Sequence, residues 1–130
     1  MAKQVGAHHP FGNLLGLRID SAADGRCRAH LEASENLFNP HRVVHGGALF
    51  ALADTSMGAA LYTLMDDQES CATIEMKMNF IKAVREGRLE CETTVVRRGR
   101  ATAVLESKIT ANGELVAIAL GTYAIFPVRS

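Results

Sequence analysis

The sequence predicts an α+β domain in which an antiparallel sheet curls round a single long helix, and three observations carry that reading. Segments that alternate apolar and polar side chains flank one Ala- and Leu-rich stretch, residues 47 to 64, that is apolar on nearly every face. A helix of that kind must be covered on most sides, which a curved sheet does. The strands that follow are separated by tight turns, above all Asn112-Gly113, because a type I′ hairpin needs positive φ at both central positions. Tight hairpins in place of helical crossovers argue against a doubly wound parallel sheet, and neither G-x-G-x-x-G nor a Walker motif is present.

Taken in order, Leu14 to Asp20 is the first expected strand. The turn-like Ser21 to Gly25 joins it to a second over 26–33, where Cys27, Ala29, Leu31 and Ala33 share one face. Glu35 to Val44, with Asn36, Asn39 and Pro40, reads as a loop. The helix follows and leaves through Asp66-Asp67. Thr73 to Ile81 alternates next, with Ile74, Met76, Met78 and Phe80 on one face and Thr73, Glu75, Lys77 and Asn79 on the other. After the turn at Glu86-Gly87 come Leu89 to Val95, 102–111 and Leu115 to Phe126. The nearly continuous apolar character of the last predicts a central strand covered on both faces. There is no internal repeat, so a single domain over 1–130 is expected, with its core from about residue 14 to 126.

Composition narrows the classes of function. The chain has 130 residues, 48% hydrophobic and 22% charged, the make-up of a folded domain. Equal numbers of basic and acidic residues, 14 of each, remove the simplest electrostatic argument for nucleic acid or an anionic membrane as partner. With Phe 5, Tyr 2 and Trp 0, small aliphatic residues must build the core, and stacked aromatic platforms for bases are disfavoured. Cys27, Cys71 and Cys91 form no C-x-x-C pair and read as small core residues in a reducing cytoplasm. Residues 1–10 hold Lys3, Gln4, His8 and His9 without a continuous apolar run, so no secretory signal is expected.

From Val43 to Met65 the one formally charged residue is Asp54. Thr55, Ser56 and Thr63 interrupt the apolar run, and Gly46, Gly47 and Gly58 thin it, so it reads as a buried helix in preference to a membrane span. The segment that leads into it, Asn39-Pro40 followed by His45-Gly46-Gly47, carries the chemistry. Glycines at a helix start permit close approach to the backbone, and the unpaired N–H groups of the first turn suit a developing oxyanion. Asp54 adds a carboxylate, with the small residues Ala51 and Gly58 one turn away leaving space beside it. Its alternatives are a buried carboxylate bonded to Ser or Thr neighbours, or an N-cap for a helix starting at Thr55, although Met57 stands where a capping box has Glu or Gln.

His45 either polarises a carbonyl or orients the loop. His41 and His45 have the spacing of helical zinc ligands, but Pro40, Val43-Val44 and Gly46-Gly47 oppose a helix there, so no metal site is expected. Ser56 with His45 and Asp54 matches a hydrolase triad in composition only, because the G-x-S-x-G elbow is missing. Arg97, Arg98 and Arg100, with Lys82, Arg85 and Arg88 on the preceding elements, read as a solvated turn or as a site for a phosphate-bearing ligand. Gly46 and Asp54 lie eight positions apart, about 12 Å along one helix. If both serve one carbonyl, two antiparallel helices from two chains must supply them, and the site lies between subunits.

Asn39-Pro40, His45-Gly46-Gly47 and Leu52-Ala53-Asp54, in this order, resemble the signature of hotdog-fold acyl-CoA thioesterases of the phenylacetate-pathway, or PaaI-like, type. The matching element order covers about Leu14 to Phe126. The resemblance implies a long helix wrapped by a five- or six-stranded antiparallel sheet, dimers that join their sheets, and commonly a homotetramer of two dimers. It implies Asp54 as general base or nucleophile, Gly46 N–H as donor to the thioester oxygen, Asn39 and His45 as residues orienting that loop, and Thr73 as the hydroxyl that helps place water. Gly47, Lys82, Arg97, Arg98 and Arg100 are then the expected substrate contacts. Two positions depart from the pattern: His41-Arg42-Val43 stands where the family usually has a Gly, and Lys82-Ala83 where a strand commonly ends in Arg-Pro.

The expected function is hydrolysis of an acyl-CoA thioester to free acid and coenzyme A. It needs no metal and no cofactor beyond the coenzyme A of the substrate. The expected setting is a cytoplasmic homo-oligomer, a dimer or dimer of dimers, with no nucleic-acid or membrane partner. Two alternatives share the scaffold: a non-catalytic acyl-CoA or acyl-carrier binding module, which gains nothing from a desolvated carboxylate, and a hydratase or dehydratase. Phe50, Met57, Leu61, Met76 and Met78 are candidates to line an aromatic, medium-chain or hydroxylated acyl pocket.

Overall fold

The computed structural model describes residues 9–128. Its first element is a correction: α1 (Pro10–Leu15) is a short helix where alternation suggested the start of a strand. Proline in the first helical turn forfeits no hydrogen bond, His9 Nδ1 accepts from the Gly12 N–H at 2.6 Å, and Gly16 at φ 79° ends the helix in the left-handed region. The first strand, β1 (Arg18–Ala23), therefore begins only at Arg18. It pairs with β2 (Arg26–Glu32) through Asp24-Gly25, both at positive φ. The expected loop contains one 3-10 turn, Glu35–Leu37.

The long helix, α2 (Gly46–Tyr62), has 17 residues and lies within two positions of its expected ends. Leu52, Ala53, Met57, Ala60 and Leu61 are fully buried against the sheet. At its end the Thr63 hydroxyl donates to the Ala60 carbonyl and accepts from the Gly25 N–H, both at 2.7 Å, which ties the helix to the β1–β2 turn. Close contact of helix and sheet depends on Gly121: a Cβ there would sit 2.9 Å from Met57 Sδ.

Four strands follow: β3 (Glu69–Phe80), β4 (Arg88–Arg98), β5 (Thr102–Ala111) and β6 (Glu114–Pro127). All six form one antiparallel sheet in the order β1-β2-β4-β5-β6-β3, with β5 and β6 joined by the expected Asn112-Gly113 turn, both residues at positive φ. Among the described residues the 12-residue β3 is an edge strand with one side unpaired.

Two expectations about the strands change. β6 is interior to the sheet, but only one of its faces is covered within this chain: Ala117, Ala119, Tyr123 and Ile125 face the helix, while Ile118, Leu120 and Phe126 are exposed on the other side. In β3, Thr73 pairs with Tyr123 and Glu75 with the adjacent Thr122, so Ile74 is the extra residue of a β-bulge. The bulge reverses the alternation at that point. Thr73 joins Met76 and Met78 on the helix side, and Ile74 is turned out, 56% exposed.

Cys27 and Cys91 are buried, as expected of core thiols. Burial pushes the Cys27 thiol up to about 11 and raises that of Cys91 as well, so neither is a thiolate at neutral pH. Cys71 is half-buried. No helix among the described residues is long and apolar enough to cross a membrane.

Candidate active site

The loop before α2 is closed by Asn39. Its backbone N–H donates to the Val43 carbonyl at 2.8 Å, and its side-chain Oδ1 accepts from the His41 N–H at 2.9 Å. Arg42 takes φ 65°, the left-handed conformation that a glycine adopts most readily, so this departure from the family pattern keeps the backbone path open to Gly. The strand-like Phe38–Val44 bridge then delivers His45 to the helix start. His45 is the N-cap: its Nδ1 accepts from the Gly47 N–H at 2.7 Å and its carbonyl accepts from the Ala48 N–H at 2.9 Å. A ring that accepts at Nδ1 carries its proton at Nε2 when neutral. Of the first three N–H groups of α2, the one at Gly46 alone has no partner among the described residues.

Asp54 sits in the middle of α2, which rules out the N-cap alternative. Its Oδ1 accepts two hydrogen bonds, from the Thr73 hydroxyl at 2.7 Å and from the Tyr123 hydroxyl at 2.5 Å. The single Tyr123 proton is shared with the Asp54 main-chain carbonyl, which lies 2.7 Å from the hydroxyl. Burial first, and the hydrogen bond to Asp54 second, push the Tyr123 hydroxyl well above the usual tyrosine range, so it stays a protonated donor. The carboxylate opens into a cavity of about 260 Å³ whose wall includes His9, Gly58, Tyr62 and Cys71. His9 Nε2 reaches Thr55 Oγ1 at 3.3 Å.

Neither Tyr123 nor His9 was among the residues that the sequence singled out. For Tyr123 a signal was available, a lone phenol among small residues on the inward face of the last strand. For His9 it was Pro10 and Gly16 bracketing a helix that would hold the imidazole in place. The expected acyl-pocket residues are not the ones that line this cavity: Met57 and Leu61 are fully buried under the sheet, and Phe50, Met76 and Met78 lie elsewhere.

Gly58 gives a test of the cavity's role. A Cβ there would meet nothing within 4 Å and would project beside Asp54. Gly58→Ala should stabilise the helix by about 0.5–1 kcal/mol, read as a higher thermal midpoint. The same methyl group takes space from the cavity, so KM should rise more for bulky substrates than for small ones. A KM that does not vary with substrate bulk would show that this cavity does not hold the variable part of the substrate.

Within one chain the two halves of the expected site stay apart. Gly46 opens into a second cavity of about 340 Å³, with Asn39, Phe80 and Lys82 in its wall and no residue in common with the Asp54 cavity. Lys82 there is ion-paired with Glu114 at 2.7 Å. Arg97, Arg98 and Arg100 lie at the β4–β5 turn, at the other end of α2, where the Arg98 guanidinium bonds Glu69 at 2.5 Å and Arg97 and Arg100 are exposed. The basic residues therefore form two groups, not one patch. Ser56 is fully buried and accepts from the Thr93 hydroxyl at 2.8 Å, away from Asp54, which removes the triad alternative. Among the described residues no three His, Cys, Asp or Glu side chains form a group that could hold a metal ion.

One long helix backed by a six-stranded antiparallel sheet, with a carboxylate held mid-helix over a cavity, is the hotdog architecture. The family model described as Thioesterase superfamily matches residues 41–118, from the loop before α2 into the first part of β6, and the chain belongs to that superfamily. A Deinococcus radiodurans protein described as a candidate esterase is 36% identical over 115 residues, 86% of this chain and 76% of its own. The solved structure of a mutant thioesterase from Pseudomonas aeruginosa, 28% identical, has a TM-score of 0.86 over 91% of this chain and 86% of that one. Phenylacetic acid degradation protein PaaI from Thermus thermophilus, solved as a mutant and 27% identical, has a TM-score of 0.83 over 89% of this chain and 98% of that one. The general chemistry supported by these relatives is hydrolysis of a thioester.

Proposed function

We propose that this chain hydrolyses acyl-CoA thioesters at a site completed by a second copy of itself. The observation that carries the reading is the Asp54 carboxylate, fixed by Thr73 and Tyr123 over a cavity while the free Gly46 N–H opens into a different one. An antiparallel second helix would bring its own Gly46 to the first chain's Asp54, and the unpaired edge of β3 offers a place for the sheets to join.

In that site Asp54 removes a proton from water while the water oxygen attacks the thioester carbon. The carbonyl electrons move to oxygen, where the Gly46 N–H of the second copy stabilises the charge. Collapse breaks the C–S bond, and the proton held on Asp54 passes to the leaving sulfur, which gives carboxylic acid and free coenzyme A thiol. Asp54 acting as nucleophile would pass through an anhydride that water then opens, with the same products. Thr73, whose proton is directed at Asp54, keeps lone pairs that can accept from the attacking water. The reaction in this form uses no metal and no added cofactor, and we read the protein as a cytoplasmic homo-oligomer, a dimer or dimer of dimers.

Thiol release from coenzyme A esters of varied chain length and aromaticity tests this directly. One thiol per acid released, saturable in substrate, is the expected result. Saturable binding without thiol release across the whole set would make the protein a binding module instead.

A further inference from the structure

We infer that Tyr123 is a positioning residue for Asp54: its hydroxyl and that of Thr73 together fill Oδ1, leaving Oδ2 as the oxygen that takes the proton or attacks. The inference rests on the reading of Asp54 as the reacting carboxylate. A carboxylate oxygen has two lone-pair sites in its plane. Both side-chain hydrogen bonds to Asp54 end on Oδ1, and no hydrogen bond from a described residue reaches Oδ2. An oxygen that already accepts two hydrogen bonds is the poorer base of the pair, so reactivity passes to its twin.

The sheet fixes both donors. Thr73 and Tyr123 are directly opposed in the β3–β6 pairing and lie on the same face of adjacent strands. Tyr123 is 3% exposed, and its one proton is shared between the Asp54 carboxylate and the Asp54 main-chain carbonyl, which holds the phenol against that one turn of α2. The carbonyl alone would satisfy a buried hydroxyl. Contact with the carboxylate as well fixes the side-chain torsion of Asp54 and thus the direction of Oδ2. The phenol cannot replace Asp54 as the base, because its burial keeps it protonated. The other titratable groups around this cavity are His9 before α1, whose Nε2 is directed to Thr55 Oγ1, Tyr62 on α2 itself and Cys71 on β3.

The test is Tyr123→Phe in the intact oligomer, assayed for thiol release. The expected loss in kcat is about 10- to 100-fold, the worth of one hydrogen bond to a charged group, with KM within about threefold of the parent. Because a donor to the carboxylate is gone, the acid limb of the pH–rate profile should move to higher pH. A kcat within about twofold of the parent overturns the inference. So does a lower kcat with the acid limb unmoved, which a merely structural phenol would give.

Installing 3-fluorotyrosine at position 123, a stronger donor of the same shape, should move the acid limb the opposite way, and an unmoved limb overturns the inference even if the Phe variant does not fold. If the parent releases no thiol from any ester, or Asp54→Asn retains turnover, the proposed function fails and takes this inference with it. If the parent is active and Asp54→Asn is not, a normal Tyr123→Phe defeats this inference alone.

Discussion

Asp54→Asn is expected to lower kcat for acyl-CoA hydrolysis by about 10²- to 10⁴-fold, the range for loss of a positioned general base. The substitution is nearly isosteric, and the amide oxygen can still accept from Thr73 and Tyr123 in the place of Oδ1. The amide nitrogen then occupies the position of Oδ2 and has no lone pair to take a proton. Fold and oligomer should therefore survive, as judged by circular dichroism and size-exclusion chromatography, while turnover is lost. Near-parent hydrolysis by the variant would remove Asp54 from the chemistry.

The second large effect concerns a backbone atom. Gly46→Pro removes the N–H that, of the first three in α2, has no partner among the described residues, at a helical position where proline is tolerated. The preceding His45, at φ −62° and ψ 137°, already has the extended conformation that a following proline requires. A Cβ at position 46 would lie 3.0 Å from the Phe80 ring, which is 57% exposed and can shift. Turnover should fall by about 10²- to 10³-fold, as for loss of one oxyanion donor, with little change in melting temperature.

If the oxyanion donor and the carboxylate come from different chains, the two inactive variants should complement each other. After mixing and exchange of subunits, half of the dimers pair one Gly46→Pro chain with one Asp54→Asn chain, and each of these has one intact site of two. Recovery of about a quarter of the parent activity is expected. No recovery in samples with proven exchange would place both groups in one chain's site and contradict the helix geometry.

Much of this arrangement is legible in the residues. The helix is visible because Leu52, Ala53, Met57 and Leu61 leave no polar face, and the hairpins because Asp24-Gly25 and Asn112-Gly113 demand positive φ. Asp54 stands out because nothing else between Val43 and Met65 carries a formal charge. The separation of Gly46 from Asp54 needs only the rise of a helix.

What stayed hidden has physical causes as well. α1 is too short for any periodicity, and only its proline and glycine mark it. His45 is a cap, a role that depends on the torsions of one residue and not on the type of its neighbours. Tyr123 reaches Asp54 across a distance of 69 residues in sequence, by way of the sheet. The exposed outer face of β6 has the apolar pattern of a fully covered strand, because pattern records what a residue is suited to meet and not whether this chain supplies it.

The extra residue at Ile74 gives the site a dependence on length as well as on identity. Along a strand, facing is a matter of odd and even counts, and a bulge works like a frameshift in space. A threonine that simple counting assigns to the far side of β3 is handed to the helix by a single unpaired neighbour. Two chains could thus share every motif residue and still differ in whether a hydroxyl reaches the carboxylate. Among relatives of this protein, the number of residues between the hydroxyl-bearing position and the part of the strand that follows it is as informative as the residues themselves.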